Sequence, residues 1–158
     1  MCDFVKCIRD MYFLIYTMDP LLKSSLDLIK NIYNLLVTID GVAEDAKIQL
    51  DIKQSMNKLI LAKNEKPLAV MQEMSAYFEL YMSKIEALNT NYRKLDEFVN
   101  VDQDLSKLDK DVRDVVQEFI PKLRQVYKHF TEGEKKFVCE NMYAQLKCYA
   151  AYKLAGGK

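Results

Sequence analysis

Glycine and proline are scarce in this chain, four and three residues out of 158, and two of those glycines, Gly156 and Gly157, stand together near the C-terminus. Sheet proteins need turn residues every few positions and alternating polar and apolar side chains, and neither pattern is present, so a sheet is excluded as the main architecture. Tryptophan is absent and His129 is the single histidine. One histidine cannot supply the paired Glu-x-x-His ligands of a di-metal bundle. Net charge is missing as well: 23 basic and 23 acidic side chains cancel. No overall field draws in nucleic acid or an anionic surface, and only a local patch would do so. Nucleic acid is therefore not an expected partner.

Long apolar runs are also lacking. The most apolar stretch, Met11 to Met18 (MYFLIYTM), is far short of the roughly 18 residues of a membrane span, and no transmembrane segment is expected. It makes a poor signal peptide, because Asp3 and Asp10 offset Lys6 and Arg9 and no small-residue cleavage site follows. A secreted form of this chain would already have lost its leader.

What remains is 50% hydrophobic and 29% charged residues, a globular balance with enough length for one sizeable core. The spacing predicts an all-α, antiparallel up-down bundle of about five or six helices. It forms a single domain over 1–154 with a disordered tail at 155–158. The organising element is a long central helix over about 67–99. Met71, Met74, Phe78, Tyr81, Ile85, Leu88, Tyr92, Leu95 and Val99 follow a 3,4 alternation along it.

Around that helix the other elements follow from their caps. A first helix covers about 3–18, with Phe4, Ile8, Met11, Ile15 and Met18 on one stripe. Asp19-Pro20 caps and opens a second helix to about Ile39, which the Asp40-Gly41 turn signal ends. A third runs to about Ala62. After a polar linker at 100–104, Asp102 or Asp104 caps a helix with the stripe Leu105, Leu108, Val112, Val115 and Phe119, in which Pro121 produces a kink. The last helix spans about 134–154.

The cysteines are confined to the ends: Cys2, Cys7, Cys139 and Cys148. Two disulfide staples joining the first and last helices fit that placement, Cys2 to Cys148 with Cys7 to Cys139 or the reverse. Each would close a loop of more than about 100 residues, an entropic effect on the order of 4 kcal/mol. Cys139 and Cys148 fall on opposite faces of an ideal helix, so they do not pair with one another. The alternative is a set of reduced thiols in a cytoplasmic protein.

No motif carries chemistry. His129 is read as a helix-terminal cation rather than a general base. The carboxylates of Asp102 to Asp114 alternate with lysines as a solvated helix face does. Calcium, zinc and phosphate loops are incomplete. Neither a cofactor nor an enzymatic activity is expected. The aromatic side chains lie mostly on apolar stripes, except in the last helix, where Tyr143, Tyr149 and Tyr152 point in different directions and are the candidate interface residues.

These features favour a secreted, disulfide-stapled helical protein that acts by protein–protein interaction. The alternatives are a carrier of lipid or another apolar small molecule and an intracellular coiled-coil scaffold. A carrier would find its cavity between the first helix and the kink at Pro121, because the central stripe holds no glycine, alanine or serine to leave room.

Overall fold

Asp19 and Pro20 begin the first long helix as their chemistry dictates. The Asp19 carboxylate accepts the Leu21 N–H at 2.9 Å and Pro20 takes the first helical position, where a missing N–H costs nothing. The computed structural model describes residues 4–9 and 18–158, without the side chains of residues 111, 112, 115 and 119. Residues 4–9 are helical. The remainder of the expected first helix, residues 3 and 10–17, lies outside the described residues, as does Cys2.

Helix α1 is Pro20–Val42, α2 is Ala46–Glu65 and α3 is Pro67–Thr90. Among the described residues no strand forms, and the chain is an all-α bundle. The turn expected at Asp40-Gly41 is not made. α1 runs through it to Val42 and ends where Ala43 becomes extended (φ −65°, ψ 128°), and the Asp45 carboxylate then accepts the Lys47 and Ile48 N–H groups and starts α2. Gly41 has open space where a side chain would be, and the burial of Ile39 and Ala43 on either side offsets its low helix propensity of about 1 kcal/mol.

The long central helix over 67–99 is the main correction. It breaks at Asn91, whose backbone is extended (φ −148°, ψ 95°) and whose side chain accepts the Arg93 N–H at 3.1 Å. Thr90 donates its hydroxyl to the Ala87 carbonyl at 2.9 Å, a local bond that competes with continuation of the helix. A 3₁₀ turn, Tyr92–Lys94, then leads into the short helix α4, Leu95–Asn100. The stripe survives the break: Met71, Phe78, Tyr81, Ile85, Leu88, Leu95 and Val99 are all buried.

A further difference follows α4. Leu105 and Leu108 are buried, yet they lie in a non-helical segment over 101–109. Asp104 accepts the Ser106 N–H at 3.0 Å and the Leu108 N–H bonds back to the Leu105 carbonyl, so the aspartate stabilises a turn instead of a helix start. Helix α5, Lys110–Tyr127, continues through Pro121. Helix α6, Glu132–Leu154, opens on Thr131, whose Oγ1 accepts the Glu134 N–H at 3.2 Å and donates to the Glu134 carboxylate at 2.9 Å.

α6 packs across two of the long helices. Its most extensive packing is against α1, followed by α3, and its buried side chains reach both halves of the core. At one end Val138 and Cys139 join Leu36, Ile39, Ile52, Leu88, Leu95 and Val126. At the other Leu146, Tyr149 and Tyr152 join Leu28, Met71, Phe78, Ile85 and Leu105. Ile32, Phe98 and Met142 pack against both halves and make the core continuous.

The tail expected to be disordered forms a helix cap. Gly157 N–H bonds to the Tyr152 carbonyl and Gly156 N–H to the Lys153 carbonyl, both at 3.0 Å, with Gly156 at φ +94°. That is a Schellman motif, which requires the left-handed backbone that glycine adopts freely. A β-carbon on Gly157 would collide with the Tyr152 ring.

Candidate functional site

Polar atoms inside an apolar bundle are the first place to look for chemistry, since each must be paired to be tolerated. Where α1 and α6 meet, Asn141 donates its amide to the Asn31 carbonyl at 2.9 Å, and Gln145 donates to the Asn141 side-chain oxygen at 2.7 Å. Asn31 in turn donates to Cys148 Sγ at 3.5 Å. The sequence reading missed this chain of carboxamides. Its signal was available: Val138, Asn141, Gln145, Tyr149 and Tyr152 keep a 3,4 spacing, so the two amides stand at core positions of α6.

The expected staples are not formed, and Cys7, Cys139 and Cys148 are free thiols. Cys7 is exposed on the 4–9 segment, whereas Cys139 is buried against the Tyr92 carbonyl, 3.9 Å away. Burial pushes the Cys139 thiol up to about 11. The Cys148 thiol is also raised, mainly by burial. The two thiols on α6 face different neighbours, as their nine-residue spacing requires.

The candidate interface tyrosines separate. Tyr149 and Tyr152 are core residues, 3% and 2% exposed, which removes them as surface contacts. Tyr149 stacks on Phe78 and donates its hydroxyl to Glu79 Oε1 at 2.7 Å. Burial first, and that carboxylate second, push its hydroxyl up to about 12. Tyr143 is half-buried with Lys147 over its ring, 5.2 Å from the centroid. It is the one candidate still in reach of a partner.

Two surface clusters tie α5 to the rest. Tyr127 donates to the Asp96 carboxylate, which Lys135 also approaches at 3.3 Å. The Tyr127 hydrogen bond is the larger cause holding the Asp96 carboxyl below its usual range. Burial and the same carboxylate push the Tyr127 hydroxyl well up. Arg124 donates to the Val99 carbonyl and to Asp102, each at 2.7 Å.

Beside these ties, α2, α5 and the end of α1 enclose an open cleft of about 190 Å³ with a floor of Ile39, Ile48, Ile52, Leu123 and Val126. Lys122 and Asp51 close one wall at 2.8 Å. Lys122 and Leu123, which follow Pro121 in sequence, line it together with α2 and the end of α1. A second cleft of about 250 Å³ lies between α3 and α4, beside Phe98 and Gln103. Both are below the roughly 300 Å³ at which sites for small molecules begin.

His129 is exposed beyond the end of α5, 3.9 Å from Glu44. Among the described residues no three His, Cys, Asp or Glu side chains converge as metal ligands do. No described helix is long and apolar enough to cross a membrane. No family model, curated protein or solved structure matches the chain.

Proposed function

We propose that the protein works by binding another protein through its N-terminal helical segment, without catalysis of its own. The observation that supports this is the exposure of Phe4 and Val5, 71% and 67%, with Ile8 at 38%. Single exposed apolar side chains are ordinary, but Phe4 and Ile8 are spaced i, i+4, as are the anchors of a helix that enters a partner's groove. In the sequence the same line goes on through Met11, Ile15 and Met18.

The burial of Phe78, Ile85 and Leu88 on the seam speaks against the scaffold alternative, which would offer that seam to other chains. The carrier alternative is favoured only by the cleft at Asp51 and Lys122, which is small and open. Of the two locations, secreted and cytoplasmic, the free thiols favour the cytoplasm, where thiols stay reduced.

The test is capture of partners from source-cell extract on the immobilised full chain, compared with a Phe4→Asp/Ile8→Asp variant. A protein retained in near-equal amount by the parent and lost from the variant is the expected result. Equal retention by both would overturn the proposal.

A further inference from the structure

The cations of this bundle are unevenly engaged. Lys23, Lys122, Arg124 and Lys135 each hold a carboxylate within 3.5 Å. Among the described residues, no ion pair takes up Lys47, Lys53 or Lys58 of α2. α2 is anchored to the bundle by one side, through Ile48 and Ile52. The other side faces out along its whole length: Leu50, Ile60 and Leu61 are 56%, 43% and 57% exposed.

At 100° per residue, those three side chains share an arc of roughly 160° with Lys47, Lys53 and Lys58. The other long side chains in the arc are neutral: Gln54, Asn57 and Asn64. The one carboxylate within it is Glu65, the last residue of the helix, next to Lys66. Asp51 lies at the margin and is held by Lys122. In a chain of zero net charge, this face combines three lysines outside any ion pair with exposed leucine and isoleucine along one helix.

We propose that the outer face of α2 rests on an anionic lipid surface. Charge complementarity selects the sign of the partner, and the spacing selects its kind. A protein groove takes anchors at i, i+3, i+4 and i+7, whereas Leu50 and Leu61 are three turns apart with Lys53, Gln54 and Asn57 between them. A lipid surface asks for no such stripe. Scattered apolar side chains enter between headgroups, and lysines at any position along the arc meet the anionic charge. Because this face is distinct from the 4–9 segment, the inference does not depend on the protein-binding proposal.

The full chain should co-sediment with phosphatidylcholine vesicles containing roughly a third phosphatidylserine, remain in solution with pure phosphatidylcholine, and dissociate as salt rises. Lys47→Glu/Lys53→Glu/Lys58→Glu should weaken that binding roughly a hundredfold. Lys128→Glu/Lys136→Glu/Lys153→Glu changes the net charge equally from other exposed positions and should weaken it far less. Leu50→Ser/Leu61→Ser should also weaken it, and all these variants should melt close to the parent because every changed side chain is exposed.

Equal loss in the two charge-reversal variants would reduce the effect to net charge and overturn the proposal, as would binding to both vesicle types alike. If neither vesicle type binds, and the α2 lysine variant instead loses a captured protein, the face is a protein contact and the lipid proposal falls while protein binding stands.

Discussion

The Tyr149 ring lies on that of Phe78 with centroids 5.4 Å apart, and its hydroxyl reaches Glu79 Oε1 at 2.7 Å. One side chain of α6 thus fastens α3 by stacking and by a hydrogen bond at the edge of the core. Tyr149→Ala should cost about 3–5 kcal/mol by leaving a cavity, enough to unfold much of the population. Tyr149→Phe keeps the stack and should cost about 1 kcal/mol. Denaturant titration of both variants checks the order; an alanine variant as stable as the parent would place Tyr149 outside the core.

Asn141 and Gln145 should behave as a unit. Asn141→Leu strands the Gln145 amide and should cost about 1–3 kcal/mol, whereas Asn141→Leu/Gln145→Leu removes both ends of their bond and should recover part of that loss. The measurement is a double-mutant cycle in unfolding free energy. Additive losses would mean that the two amides are not coupled.

The thiols should label in order of access. Alkylation of native protein near neutral pH should modify Cys7 readily, Cys148 more slowly and Cys139 only on unfolding, because the thiolate is the reactive form and burial disfavours it at Cys139. Peptide mapping by mass gives the order. Native Cys139 reacting as fast as Cys7 would contradict its burial.

Acid should loosen the tie between α4 and α5. Asp96 has a folded-state pKa below its unfolded value, so its contribution is fully present above about pH 4 and is lost as pH falls through the lowered folded value. Tyr127→Phe should be destabilised relative to the parent at pH 7, and the gap should narrow toward pH 2–3. A gap that is the same at both ends of that range would remove Asp96 as the partner that matters.

The start of α1 was legible in the sequence because a cap is local: Asp19-Pro20 holds the whole signal within two residues, whereas Asp102 and Asp104 offered a similar signal and α5 begins only at Lys110. The buried stripe from Met71 to Val99 was legible for a different reason. Periodicity reports which side chains return to the core, and Leu88 and Leu95 both return although Asn91 breaks the helix between them. Continuity is not encoded in that pattern, so the long helix was overextended. Leu105 and Leu108 misled in the same way, since a spacing of three also fits a turn. The ties from Tyr127 to Asp96 and from Lys122 to Asp51 join residues far apart in sequence, and no spacing rule reaches them.

Two helices joined only by apolar ridges have several alignments of similar energy, because a slide of one turn, about 5.4 Å, exchanges one leucine for another. The carboxamides of Asn141 and Gln145 remove that freedom from α1 and α6, since such a step would part Asn141 from the Asn31 carbonyl inside the core. The pair cannot act as a piston. α5 is held otherwise, by the ion pairs of Lys122 with Asp51 and of Arg124 with Asp102 and by Val126 and Tyr127 in the core.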